Sequence, residues 1–416
     1  MKLPEESKEK LSPNTIKQLD DLRSEDQIVT VLIKKEKVMG MSALNSEFEE
    51  AGAKVIDRFD KINTDVVQVK ASKLKDIIKN PAVKSVAMEK TYHQLLDVAA
   101  KVVSGTFTPQ LNTNLSGKGV TIAIIDSGIY PHPDLTTPEN RIVAFYDVFA
   151  GQEVAPFDNG GHGTHCAGCA ASNGQRSDKR YRGLAYNSKL VGVRVFQGRT
   201  TSTTTIIKGV LWCIENKEKY GIKVMSLSLG GEADMSPEID PLCNALREAH
   251  NHGITVVVAA GNSGPLPKTI ESPGIEPEII TVGATNDQNT IDNPDDVIAN
   301  FSSRGPSIFG HQKPDIVAPG SSIISLRAQN SEYDQSFPER RVSEDYCWMS
   351  GTSMATPIVA GLAALLYEAK PDATPKEIKQ ALLNGANNIF NDINGAGKGY
   401  SSLKGALEIL EIPVLV

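Results

Sequence analysis

From about residue 118 the chain repeats one pattern: a short, nearly unbroken apolar run, then a longer stretch with helical spacing. The apolar runs are "VTIAII" (120–125), "LVGVRVF" (190–196), "VMSLSL" (224–229), "ITVVVAA" (254–260) and "IITVGAT" (279–285). Such runs suit strands whose two faces are both covered. Between several of them lie helical patterns. "TTTIIKGVLWCIENKEKY" opens on threonine caps, and "DPLCNALREAHNHG" has proline near its start and glycine at its end. Alternating strands and helices predict an α/β fold with a doubly wound, mostly parallel sheet and helices on both faces.

Residues 27–92 have a different texture. "QIVTVLIKK", "KVIDRF" and "VVQVKA" read as strands, "SALNSEFEEAG" and "KLKDIIKN" as helices, and "VKSVAMEKTY" as a closing strand. The order β-α-β-β-α-β is the split βαβ arrangement of a small α+β, ferredoxin-like unit. Residues 1–26 are polar and read as a loose lead-in. The predicted organisation is therefore 1–26 lead-in, 27–96 small unit and 97–416 large α/β domain.

Composition narrows the function classes. The 416 residues suffice for one large domain and a small one. A net charge of −7 argues against nucleic acid as the main partner. The first twenty residues are charged throughout, with no apolar h-region. This predicts a cytoplasmic protein, or a secreted one whose leader has been removed. No run approaches eighteen consecutive apolar residues, so no membrane span is expected. The cysteines are Cys166, Cys169, Cys213, Cys243 and Cys347, an odd and sparse set that suggests reduced thiols. Cys166 and Cys169 have C-x-x-C spacing without a second pair, and both fall within a helix, so no metal site is expected there.

In doubly wound sheets function collects at the carboxyl ends of strands and the adjoining helix N-termini. "IAIIDSGI" ends a strand on Asp126, "DNGGHGTHCAGCAA" opens a helix with His162, and "SGTSMATP" opens another with Ser353. Singly, these are an ordinary turn former, a structural histidine and an N-cap. Together they fill the three roles of nucleophilic acyl transfer: hydroxyl, imidazole base and orienting carboxylate. "VVVAAGNSGP" presents Asn262 after a strand, where its amide and the Ser353 backbone N–H would serve as oxyanion donors.

"AIIDSGI", "HGTHCAG", "AAGNSG" and "GTSMATP" resemble the four signature segments of the subtilases, the subtilisin-like serine proteases, and in particular their intracellular bacterial members. The resemblance covers about residues 115–410 and includes "FSSRGP" and "KPDIVAPG". It implies a serine endopeptidase with Ser353 as nucleophile, His162 as base and then acid, Asp126 orienting it and Asn262 holding the oxyanion. His165 would pack inside. Ser228, Leu229 and Gly230 would form one wall of the primary specificity pocket, and Ala259, Ala260 and Gly261 the other. Both walls are small and uncharged, which implies an apolar or uncharged residue at the cleaved position. Residues 200–204 would contain an edge strand pairing with extended substrate, or else simply a loop capping the next helix.

The N-terminal unit resembles the family's pro-domain, a folding template and inhibitor. This implies a self-processing precursor cut after Leu95 or Leu96, with the rival that the unit is a permanent regulatory module. Activity should rise with pH as His162 becomes neutral, since only neutral imidazole acts as base. Cys166, one helical turn after His162, would lie beneath it, and thiol reagents would slow the enzyme there.

The partners implied are polypeptide substrates and the chain's own pro-domain, with the protein acting as a monomer. No cofactor is needed for the chemistry. Structural calcium is compatible with "NDQNTIDNPDD" (286–296), but not with the basic loop "SNGQRSDKRYRG", whose single acid is Asp178. Two rival functions remain: a non-catalytic peptide-binding protein and an esterase with the same triad.

Overall fold

The computed structural model describes residues 9–22, 24, 26–36, 44, 48–94, 115–288 and 296–413. Alternating apolar positions build the first sheet from β1 (Ile28–Lys35), β2 (Lys54–Phe59), β3 (Thr64–Lys70) and β4 (Val83–Met88). Its order is β2-β3-β1-β4, with every neighbouring pair antiparallel. The helix Ala71–Lys79 crosses back over it. The helix expected over 42–52 lies largely outside the described residues.

Two expectations for this unit are corrected. The lead-in is not loose: Ser12 caps a helix Pro13–Asp20, accepting from Thr15 N at 3.0 Å, and Leu11 and Leu19 are buried in the unit's core. The closing strand does not run through Tyr92. It stops at Met88, and β5 (Thr91–Gln94) pairs elsewhere. The break falls at Glu89 and Lys90, whose side chains turn to the large domain. Glu89 Oε1 accepts from Thr204 N at 2.8 Å, and Lys90 ion-pairs with Asp234.

The large domain supplies β6 (Thr121–Asp126), β7 (Ile142–Asp147), β8 (Gln152–Glu153), β9 (Lys189–Arg194), β10 (Thr200–Ser202), β11 (Ile222–Leu227), β12 (Leu229–Gly230), β13 (Thr255–Ala259), β14 (Ile280–Asn286), β15 (Val297–Ile298) and β16 (Ile316–Pro319). The main sheet has nine strands in the order β15-β14-β13-β11-β6-β9-β7-β8, with β16 also on β14. Its central pairs are parallel, and β8 and β15 are antiparallel edges. β17 (Ile323–Leu326) and β18 (Tyr346–Met349) form a separate ribbon.

One face of the sheet is covered by the helices His162–Ala171 and Thr352–Ala369. The other is covered by Thr203–Glu215 and Pro241–Asn251. The helix Thr352–Ala369 is long and apolar enough to cross a membrane, but 89 % of it is buried within the fold. Leu32, Phe59, Ile62, Val66 and Ala87 of the small unit join the same buried cluster as Ile206, Val210, Leu242 and Leu246. The boundary expected near residue 96 lies in 95–114, outside the described residues.

The helix Pro241–Asn251 is pinned by Arg247, whose guanidinium holds the fully buried Glu276 through Nε at 3.2 Å and through a second, shorter bond. Arg247→Ala leaves that carboxylate buried without its charged partner, with the Glu278 N–H at 3.1 Å still donating to it, which costs about 3–5 kcal/mol. Urea unfolding followed by tryptophan fluorescence should show a loss of this order. A variant as stable as wild type would refute it.

Candidate active site

Asp126 is the last residue of β6, beside the point where the strand order reverses from β9 on one side to β11 on the other. His162 opens the next long helix. Its preceding residue, Gly161, has φ +92°, and a Cβ there would fall 2.4 Å from Ser331 Oγ, so only glycine fits. A Cβ on Gly163 would meet the Gly128 carbonyl oxygen at 2.2 Å. That close approach seats the helix against the end of β6. His162 Nδ1 lies 2.8 and 2.9 Å from the two Asp126 oxygens, with both residues buried. The carboxylate acceptor assigns the proton to Nδ1, leaving Nε2 with a free lone pair. Nε2 is buried and has no hydrogen-bond partner.

Ser353 is the second residue of the helix Thr352–Ala369 and is buried. Its hydroxyl donates to the Ser228 carbonyl at 3.1 Å rather than to His162. Its own carbonyl accepts from Ser228 Oγ at 2.8 Å and from Cys166 Sγ at 3.5 Å. Asn262 Oδ1 is occupied, accepting from Thr352 N at 3.0 Å and Thr352 Oγ1 at 2.9 Å. Its Nδ2 is buried and unpartnered. The structure thus brings Asp126, His162, Ser353 and Asn262 together, with one unpartnered acceptor and one unpartnered donor. This arrangement suits proton abstraction from a hydroxyl and stabilisation of an oxyanion.

The two expected pocket walls lie beside it. Ser228 contacts Ser353 directly, while Leu229 and Gly230 pair with Gln94 and His93. Ala259 ends β13, and the carbonyls of Ala260 and Gly261 accept from Glu271 N and Ser303 N. Residues 200–204 serve both expected ends. Thr200–Ser202 form strand β10 against β5, and Ser202 caps the following helix by accepting from Thr205 N at 3.2 Å. β5 therefore runs antiparallel between β10 and β12 as the middle of a three-stranded sheet.

Some functional groups escaped the sequence reading. Asp158 is buried and accepts from Gly160 N (3.0 Å), Gly161 N (2.8 Å), Thr164 N (2.9 Å) and Thr164 Oγ1 (2.6 Å), tethering the loop and first turn that carry His162. Its position just ahead of "GGHGT" was the available signal. Glu271 accepts from Asn262 N at 3.2 Å and Ser263 Oγ at 2.7 Å, and burial raises its pKa. It helps line a cavity of about 560 Å³ with Gly230, Gly231, Ser263 and Lys268. A carboxylate nine residues after Asn262 gives no local signal of this.

Cys166 lies with Sγ 3.9 Å from His162 Nδ1, as expected, but it is fully buried, and burial pushes its pKa well above the usual thiol range. A buried neutral thiol reacts poorly, so the expected sensitivity to bulky thiol reagents is not supported. Asp126, His162 and Cys166 are the one cluster with metal-ligand spacing among the described residues, and its imidazole Nδ1 is already taken by Asp126. The candidate calcium stretch 286–296 lies mostly outside the described residues.

Fold and site define an α/β serine hydrolase with an Asp–His–Ser order along the chain. Residues 117–400 match the subtilase family, and the chain belongs to it. It is 46 % identical over 360 residues to serine protease AprX of Bacillus subtilis, covering 84 % of this chain and 80 % of that protein. It is 30 % identical to subtilisin E of the same organism over 379 residues, covering 88 % of each. The structure is similar to that of fervidolysin from Fervidobacterium pennivorans, a keratinolytic enzyme, with a TM-score of 0.72 at 21 % identity. That match covers 95 % of this chain and 63 % of the other. It is also similar to the S41 psychrophilic protease, with a TM-score of 0.58 at 31 % identity, over 70 % of this chain and 94 % of that one. The protein is a serine endopeptidase acting on polypeptides.

His165 is buried, with Nε2 3.0 Å from the Ile323 carbonyl. Burial, and then repulsion from His162, holds its pKa down to about 3. An unfolded histidine titrates near ~6.5. The unfolded chain therefore binds one proton more between those values, so this contribution to stability is complete above pH ~6.5 and is lost as pH falls toward 3. Urea unfolding between pH 7 and 5 should show His165→Gln flattening the acid decline by an amount that approaches one proton, ~1.4 kcal/mol per pH unit, at the acid end. An unchanged slope would contradict it.

Proposed function

We propose that peptide bonds are cleaved through an acyl-enzyme on Ser353 and that the chain is made as a self-inhibited, self-processing precursor. The observation carrying the reading is the seating of β5 between β10 and β12, antiparallel to the wall whose Ser228 contacts Ser353. A peptide bound in this way is extended, and its main chain is read without regard to side chains. His162 Nε2 takes the Ser353 proton once the hydroxyl turns from the Ser228 carbonyl to the imidazole. Asp126 stabilises the imidazolium that forms. The carbonyl carbon of the substrate accepts the Ser353 oxygen, and the resulting oxyanion receives Asn262 Nδ2–H and the Ser353 backbone N–H. His162 returns the proton to the leaving amine, and water repeats the sequence to release the acid.

Register supports the processing site. Gln94 lies opposite Leu229, and Ser228, which receives the Ser353 hydroxyl, is the next residue back along that wall. Leu95 follows Gln94 in the sequence, so we assign the cut to the Leu95–Leu96 bond. Leu95 and Leu96 lie outside the described residues. The N-terminal unit then acts as inhibitor, its last strand filling the cleft. Its similarity to subtilisin E is consistent with this, because an alignment of 379 residues extends beyond the 117–400 segment. An apolar or uncharged residue is preferred at the cleaved position. Glu271, beside that wall, is occupied by Asn262 N and Ser263 Oγ, and burial favours its neutral form.

Intact mass and fluorophosphonate labelling test the assignment. Wild type should lose its first 95 residues and gain one label on Ser353, and Ser353→Ala should do neither. A pure Ser353→Ala chain that still matures overturns the nucleophile. A wild type that takes no label favours the peptide-binding alternative. Asn262→Ala should lower kcat by about 10²–10³-fold with KM little changed, the range known for the same donor in subtilisin itself. A loss confined to KM would remove Asn262 from the oxyanion role.

A further inference from the structure

Beyond the cleavage cleft, β5 is preceded by Lys90, and the chain still tracks the edge of the large domain there. Lys90 N donates to Thr203 Oγ1 at 3.2 Å, and Thr203 N donates to the Lys90 carbonyl at 3.1 Å. Residues two apart on a strand share a face, so Lys90 and Tyr92 point the same way. They converge on one buried acidic group. Lys90 Nζ ion-pairs with Asp234 and lies 3.7 Å from Asp240 Oδ2. The Tyr92 hydroxyl lies 3.3 Å from Ser272 Oγ, which donates to the same Asp240 oxygen at 3.0 Å.

We propose that Asp234 and Asp240 form a cation subsite that takes a lysine or arginine of an extended substrate, two residues before the side chain that fills the Tyr92 pocket. The inference rests on β5 standing in for substrate. Both carboxylates belong to the large domain, and Asp240 is anchored there independently of Lys90. Asp240 Oδ1 caps the helix Pro241–Asn251, accepting from Leu242 N at 2.8 Å and Cys243 N at 3.1 Å. The other contact on the pair from the N-terminal unit is Ser12 Oγ, which donates to Asp234 at 3.2 Å. Burial works against the Lys90 charge, yet Asp240 and Asp234 outweigh it and raise its pKa. The subsite lies five residues upstream of Leu95, so short substrates miss it and only peptides extended that far reach it. The N-terminal segment uses the same subsite as a second hold on the cleft.

The test uses internally quenched peptides built on residues 88–99, with Lys, Gln or Glu at the position of Lys90. The purified full chain is titrated with fluorophosphonate so that rates refer to labelled sites. Wild type should cleave the Lys peptide with kcat/KM about fivefold above the Gln peptide, because desolvation of the buried pair offsets much of its attraction. In Asp234→Asn the Lys-to-Gln ratio should fall toward one, and in Asp234→Lys the Glu peptide should become the better substrate. Equal rates for all three peptides in wild type overturn the subsite, and so does a Lys preference that survives Asp234→Asn. If an Asp234 variant fails to fold, the wild-type series alone decides. No label and no cleavage of any peptide overturns the reading of the active site, and this subsite with it.

Discussion

Pro357 sits one turn into the helix that carries Ser353. In an unbroken helix the Ser353 carbonyl would accept from the N–H of residue 357, which a proline lacks. The freed acceptor is buried and must be satisfied. Ser228 Oγ and Cys166 Sγ satisfy it. This exchange ties three elements at one point: the nucleophile helix, the wall where β11 breaks before β12, and the helix bearing His162. The neighbouring turn is closed in the same manner, with Thr356 Oγ1 donating to the Thr352 carbonyl at 2.8 Å and Asn262 holding both Thr352 donors. Each of the four polar motifs thus reaches residues 352–353 through a specific hydrogen bond or through His162 and its helix.

The same constraint explains how so polar a centre survives without solvent. A buried donor or acceptor left unmade costs about 1–3 kcal/mol. Asp126 is covered by His162 and by Ser127 N at 2.7 Å, and Asp158 by its four donors. The exceptions that bear on catalysis are His162 Nε2 and Asn262 Nδ2. Both are atoms that reacting groups would engage. The fold tolerates their cost because parallel strands and flanking helices bury the apolar runs from both sides, and it keeps them fixed before substrate arrives.

The elements read well from sequence are those whose signal is local. Unbroken runs such as "ITVVVAA" gave strands within a residue or two of β13, and the Pro and Gly marks bounded the helix Pro241–Asn251. What escaped was set by distant partners. β7 does not stand out because "IVAFYD" ends in a charged residue whose ion-pair partner, Arg194, lies 47 residues on. "VKSVAMEKTY" looks like one strand because its apolar alternation continues. The Thr204, Thr203 and Asp234 contacts split it at Glu89–Lys90. The polar lead-in hid a helix because a few scattered apolar residues, Leu11, Ile16, Leu19 and Leu22, dock it on the core. Site residues embedded in dense motifs were legible, whereas Asp158, Asp240 and Glu271 act through backbone donors and neighbours that no spacing rule encodes.

The N-terminal unit shows why its sequence alternates yet exposes little apolar surface. In β1, Val29, Val31 and Ile33 join the unit's own core, while Leu32 points to the other face with Val66 and Ala87. That second face rests on the helices Thr203–Glu215 and Pro241–Asn251, and Glu89 supplies the acceptor that Thr204 N lacks inside its helix. A parallel sheet is built of non-local contacts and folds slowly. The antiparallel unit presents an apolar face to two of its helices and a cap to one of them. The strand that follows it then enters the cleft by edge pairing with β10 and β12. The same N-terminal segment thus meets the large domain at two places, the faces of these helices and the strand edges of β10 and β12.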